Sequence, residues 1–254
     1  DPWYNVNLKL SQLTKEHCPE DIVYSVICTD KQNLNNIFAD KIVSDFRDLD
    51  GFLLYISDFN ESAEHVPLLR QLRSFVGRLH EESSKPILNL YGSFFSILLR
   101  YSGLEGVSSG LCILDHRDAT AEFKGARAAL KFYMPSLRDK ISENDFKTFL
   151  LQFNPTDECT CSFCQRLAEV RNGLSSVELR TRIDRLFTDG RGQLMSDTME
   201  HFLHNRLQES QLTINKSFSE IKAIIEINRA DSRKYVALMN TGNFIDKILT
   251  VFQQ

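Results

Sequence analysis

Hydrophobic positions along the first half of the chain fall into two alternating kinds of run. Residues 22–29 (IVYSVICT) are β-branched and apolar, and residues 34–46 then repeat apolar side chains at helical spacing. Residues 51–57 (GFLLYIS) form a second strand-like run. Residues 61–79 follow, with Val66, Leu69, Leu72, Phe75, Val76 and Leu79 on one stripe, the pattern of an amphipathic helix. Residues 86–90 (PILNL) predict a third strand and 94–101 a helix. A fourth strand is expected within 104–114 (LEGVSSGLCIL) and a fifth within 128–134.

Strands that are nearly all apolar, spaced by helices, predict parallel strands buried on both faces. Two architectures satisfy this, a doubly wound sheet and a TIM-like (β/α)8 barrel. Five strands fall short of a closed barrel, so either the N-terminal part of the barrel is absent or the pattern does not reveal every strand. Past Ser136 the pattern turns helical and polar. The chain is thus expected to divide into a β/α barrel portion, 1–136, and a helical region, 137–254, whose tail (217–252) breaks near 228–232 and again at 241–243.

Composition narrows the class. The 254 residues are 42% hydrophobic and 25% charged, as in an ordinary globular protein, and the net charge is −4. That balance excludes a chain that grips nucleic acid by bulk electrostatics but leaves room for a local basic patch. No apolar run is long enough to span a bilayer, so no membrane partner is expected. Cys18, Cys28 and Cys112 stand alone in or beside apolar stretches, as reduced cysteines do, which implies a cytoplasmic location.

The other three cysteines are crowded into ECTCSFC, as Cys159, Cys161 and Cys164. Three soft thiolates on one tight turn suit a tetrahedral zinc ion better than a catalytic disulfide, which a third thiol would scramble. Iron–sulfur ligation generally requires four cysteines. The fourth ligand is expected from DTMEHFLHNRLQE, where His201 and His204 stand at i and i+3 on a predicted helix and can approach the same face. One of the two can bind, which leaves the other beside the site or exposed. Three cysteines and one histidine leave no open coordination position, so this Zn(2+) is structural. The arginines at 166, 171, 180, 182, 185 and 191 crowd the same region, either solvating helices or tracking a phosphate backbone.

A Cys-x-Cys-x2-Cys followed by a distant helical His, placed after a β/α pattern, resembles the zinc site of the tRNA-guanine transglycosylase family. Those enzymes are (β/α)8 barrels that exchange guanine for a 7-deazaguanine in nucleic acid, and a related branch acts on DNA in phage-defence or DNA-modification clusters. LLYISDF resembles the family strand whose terminal Asp hydrogen-bonds the base, which implies that role for Asp58. LNLYGSFF resembles the next strand, with Tyr91 in place of the family's Gln. SSGLCILD resembles the Gly-Leu segment that contacts the base, implying Gly110 and Leu111 there and Asp115 near the family's Glu. The general acid/base Asp falls at Asp30. LKFYMPSLR resembles the strand whose Asp is the nucleophile, but this chain carries Lys131 at that place.

Exchange needs a carboxylate to attack the sugar C1′ and hold it, and Lys131 cannot form that glycosyl ester. The resemblance therefore implies either a transferase of pentosyl groups that uses Asp30 or Asp115, or a non-catalytic accessory subunit. Implied partners are tRNA or DNA, a 7-deazaguanine-type base, and a second transglycosylase-like subunit in a homo- or heterodimer. A third reading is an unrelated α/β enzyme with its own zinc knuckle.

Overall fold

The structure, a computed structural model, describes residues 2–109, 118–119, 130–239 and 244–253. They form a mixed α/β protein in two compact units: 2–109 with 118–119 and 250–253, and 130–239 with 244–249.

In the first unit, Pro2–His17 (α1) leads to Tyr24–Asp30 (β1), Asn36–Asp45 (α2), Gly51–Ser57 (β2), Val66–Ser83 (α3), Ile87–Leu90 (β3), Phe94–Leu98 (α4) and Gly106–Ser108 (β4). The four strands make one parallel sheet in the order β1-β2-β3-β4, with Asp30 opposite Ser57 and Tyr55 opposite Leu90. Among the described strands the order follows the chain without reversal. The described residues contain four parallel strands, and a full eight-stranded barrel is not among them.

Burial differs from the expectation of strands covered on both faces. Along β1, Ser25, Ile27 and Thr29 are buried while Val26, Cys28 and Asp30 are exposed. The buried face continues through Phe52, Leu54 and Ile56 into Ile87. The other face runs from Val26 through Leu53 and Tyr55 to Leu88 and Leu90 and is only partly covered. Apolar residues on that face made the strands read as wholly interior.

α3 starts later than its periodicity implies. His65 is its N-cap, accepting from the Leu68 N–H through Nδ1 at 3.1 Å. Glu61 lies in the preceding loop, where its buried carboxylate accepts from the hydroxyls of Ser93 and Ser96 and from the Ser96 N–H. One acid thereby ties the loop after β2 to the start of α4. Burial pushes the Glu61 pKa up, and the serine hydrogen bonds only partly oppose this.

The second unit opens with an antiparallel pair, Lys131–Met134 (β5) and Asp139–Ser142 (β6). The fifth strand is therefore present but pairs in its own two-stranded sheet, because the tight 135–138 turn folds it back on β6. Helices follow: Glu143–Gln152 (α5), Ser162–Arg171 (α6), Ser176–Thr188 (α7), Arg191–Asn215 (α8), Phe218–Met239 (α9) and Phe244–Phe252 (α10), the last of which ends within the first unit. The break expected at 228–232 does not occur. Asn228 accepts from Arg138 Nη2 at 2.8 Å and Ser232 Oγ donates to the Arg229 carbonyl, so these polar side chains are satisfied without ending α9. The second expected break, at 241–243, lies outside the described residues.

Glu209 on α8 is buried between two arginines, with Arg138 Nη1 at 2.7 Å and Arg206 Nη1 at 2.8 Å, and it also accepts from the Tyr133 hydroxyl. Removing the carboxylate would leave two guanidinium groups buried together. Glu209→Ala is expected to destabilise the protein by about 3–5 kcal/mol, read from the urea midpoint. A change below about 1 kcal/mol would mean that the network is solvated and weak.

Candidate functional site

Three elements of the second unit converge on His201. Cys161 is the N-cap of α6 and Cys164 lies in its first turn, while Cys159 ends the loop before it. The Pro155–Asp157 turn, capped by the Asn154 side chain, sets that loop, and the Cys159 N–H closes onto the Pro155 carbonyl. α8 brings His201 across from the other side. The three sulfurs and one ring nitrogen lie within 4.8 Å of one another, and all four residues are buried.

The distances fit a metal ion. His201 Nδ1 stands 3.3 Å from Cys161 Sγ and 3.5 Å from Cys164 Sγ. A tetrahedral ion with sulfur at about 2.3 Å and nitrogen at about 2.0 Å requires an S···N separation of about 3.5 Å. The tautomer fits as well. His201 Nε2 is 2.8 Å from the Tyr133 carbonyl, which can only accept, so Nε2 carries the proton and the Nδ1 lone pair faces the sulfurs. Asn205, one turn on, donates to the His201 carbonyl at 2.8 Å and towards Cys159 Sγ at 3.5 Å.

Aromatic packing fixes the ring plane. Phe132 lies parallel to His201 at 4.5 Å between centroids, and Phe146 lies parallel to Phe132 at 4.0 Å, giving three stacked rings. Phe163 meets the imidazole edge-on.

Electrostatics point the same way. Hydrogen bonding from the neighbouring thiols pushes Cys161 far down, while the same crowding and burial push Cys164 far up. Three sulfurs this close cannot all be thiolates without a cation among them, and a divalent ion supplies one. Burial alone would lower the His201 pKa, but the Cys159 and Cys161 sulfurs outweigh it and raise it to about 9. These four residues can hold a metal ion. His204 takes no part, since its Nε2 pairs with Gln208 at 3.0 Å. Several of the crowded arginines are engaged locally, Arg166 with Asp197, Arg191 with Glu143, and Arg171 with the Leu150 and Phe153 carbonyls.

A second group of expected residues gathers at the carboxyl ends of β1 to β3 in the first unit. Asp30 ends β1 with its side chain exposed, opposite Ser57 on β2. Asp58 follows Ser57 at φ 49°, and Tyr91 follows β3 at φ 65°. Left-handed backbone costs about 1–2 kcal/mol at a bulky residue such as Tyr91 and less at Asp, and such strain is concentrated at functional sites. Asp58 is not the N-cap of α3, a role His65 fills. Its carboxylate is mostly exposed, with Lys31 Nζ at 3.9 Å, and Lys31 also bonds Glu64 at 2.8 Å. Gly92 is required by close approach, because a Cβ there would meet Val107 at 2.5 Å.

Two residues here had no sequence signal beyond strand periodicity. Tyr55 packs its ring 5.3 Å from that of Tyr91, and Ser57 Oγ links Asp118 at 3.3 Å to the Ala119 N–H at 2.9 Å. Gly110, Leu111 and Asp115 lie outside the described residues. Lys131 is the exposed first residue of β5, opposite Ser142, in the second unit.

Two outcomes follow for the metal centre. His201→Ala is expected to abolish stoichiometric metal binding while His204→Ala retains it, as read by elemental analysis after gel filtration; the reverse would reassign the ligand. Because His201 binds a proton up to about pH 9 without metal, metal uptake at pH 7 should release protons and affinity should fall as pH falls. Titration calorimetry in buffers of different ionisation enthalpy measures this, and uptake without proton release would contradict the assignment.

Comparison with family models, with curated proteins and with solved structures gives no match, so the functional reading rests on this chain's own residues.

Proposed function

We propose that this chain is a transglycosylase-like protein that recognises a guanine or 7-deazaguanine base of tRNA or DNA at the carboxyl ends of β1 to β3, with structural zinc holding its helical unit. The observation that carries the reading is the pair Asp58 and Tyr91. Both follow neighbouring strands of one parallel sheet, both are left-handed, and Asp30 is beside them. Ligand sites of parallel sheets are built at this end of the strands. A carboxylate such as Asp58 can accept two N–H groups from the edge of a guanine-type base, and the Tyr55–Tyr91 pair offers a face for stacking.

The unreversed strand order supports a barrel-like sheet, as the resemblance implies. Zinc is the ion that three thiolates and one imidazole in a closed tetrahedron suit best. Four protein ligands leave no place for water, so the metal's contribution is to stability.

Lys131 at the position of the family's nucleophile favours recognition over exchange. That residue also supports a second reading, an accessory subunit that pairs with an active transglycosylase-like chain. Calorimetric titration with a free 7-deazaguanine base separates them. The first reading expects saturable binding that Asp58→Ala weakens at least about tenfold, the scale of one lost charge-assisted hydrogen bond, and that Lys131→Ala leaves intact. Binding indifferent to Asp58→Ala would overturn it. No binding to the base, together with a stable complex with a transglycosylase-like partner, would favour the accessory role.

A further inference from the structure

A cleft of about 1120 Å³ in the first unit lies between α3 and the 100–105 segment that leads into the amino end of β4, and neither Asp58 nor Tyr91 lines it. Arg70, Arg73, Arg78, His80, Arg100 and Tyr101 line it. Arg78 is neutralised, with Nε 2.7 Å from Asp40 and Nη1 2.7 Å from Glu82. The other three arginines are not spent in this way. Arg70 Nη2 donates to the Thr250 carbonyl at 3.1 Å and Arg73 Nη1 to the Val251 carbonyl at 3.0 Å, and the Arg73 guanidinium lies 4.7 Å over the Phe252 ring. Carbonyls and a ring are neutral partners, so these contacts orient two guanidinium groups without cancelling their charge. Arg100 is exposed, and among the described residues its side chain makes no ion pair.

Glu81 and Glu105 also stand on the lining, and Arg78 is outnumbered by Asp40 and Glu82, so the positive charge of the cleft is carried by Arg70, Arg73 and Arg100. Oriented arginines present several N–H donors in a fixed fork, the geometry that suits phosphate oxygens. A volume of about 1120 Å³ exceeds what one phosphate fills, and Tyr101 on the lining offers an aromatic ring on which a base can stack.

We infer that this cleft binds the phosphodiester backbone of a nucleic acid, with Arg100, Arg73 and Arg70 as the phosphate contacts and His80 as a further donor. The inference deepens the reading above, because a base presented within a polymer needs a surface that holds its backbone. Backbone contacts position the strand and carry no sequence information.

The test is fluorescence anisotropy with labelled single-stranded RNA and DNA oligonucleotides over a salt series, using the full chain, Arg100→Gln, and Arg100→Gln combined with His80→Ala. Neither side chain makes a hydrogen bond or ion pair to another part of the described protein, so both variants should fold, as circular dichroism will check. Arg100→Gln is expected to weaken oligonucleotide binding severalfold and to reduce the slope of log affinity against log salt by about one. The double variant should weaken it further. Binding unchanged in both variants would overturn the assignment. So would full competition by inorganic phosphate or a mononucleotide at matched phosphate concentration, which would make the ligand a small phosphate compound. Titration with the free base and Asp58→Ala is independent of these variants, so a failure here is distinguishable from a failure of the strand-end site.

Discussion

His201 is held at both ring nitrogens, and most of the second unit is arranged around that fact. Nε2 is committed to the Tyr133 carbonyl and Nδ1 to the cysteine sulfurs, so the imidazole bridges β5 and the start of α6 from its place on α8. Alternation along β5 multiplies the effect. Phe132 on one side stacks on the imidazole, while Tyr133 on the other reaches Glu209 and its two arginines. On α8, His201, Asn205 and Glu209 recur every four residues, so one face of the helix carries the metal ligand, its hydrogen-bonded support and the buried carboxylate. A metal ion would neutralise the crowded sulfurs and make this polar interior stable. Without one, the cluster holds too many competing protons and charges.

The first unit is organised differently. Its sheet is covered on one face by helices and less completely on the other, and two of its left-handed residues, Asp58 and Tyr91, directly follow the ends of strands. Glu61 binds two of those ends together through Ser93 and Ser96, so the loops carrying Asp58 and Tyr91 are set by a buried hydrogen-bonded acid. The strain at Tyr91 persists because its neighbours over-determine it, through the Tyr55 ring and the Gly92 N–H bond to the Ser108 carbonyl at 2.9 Å.

Much of this is legible in the sequence. The runs 22–29, 51–57 and 86–90 are strands within a residue or two, and three cysteines at short spacing pointed to a metal. The choice between His201 and His204 was not legible, because it depends on a carbonyl 68 residues away in sequence. The orientation of α8 was hidden for a related reason. Its buried face is largely polar, while Leu203, Leu207 and Ile214 are exposed, so hydrophobic periodicity points the wrong way. Helix α1 gave no amphipathic signal, since Trp3, Val6 and Leu10 are exposed and Ser11 is buried against Ser25. The pairing of β5 with β6 was set by a turn at Arg138, at φ 55°, which no periodicity reveals. The arginine cleft is assembled from α3 and a segment about 25 residues later, so composition alone could only leave room for it.

Three sulfurs and one nitrogen around a single ion leave a defined spectroscopic signature. X-ray absorption at the zinc edge, on protein purified without added metal, reads it. The expected result is zinc with three sulfur neighbours at about 2.3 Å and one nitrogen at about 2.0 Å, and no water in the shell. A metal-free protein that is nevertheless folded, or a shell containing an oxygen in place of the imidazole, would contradict it.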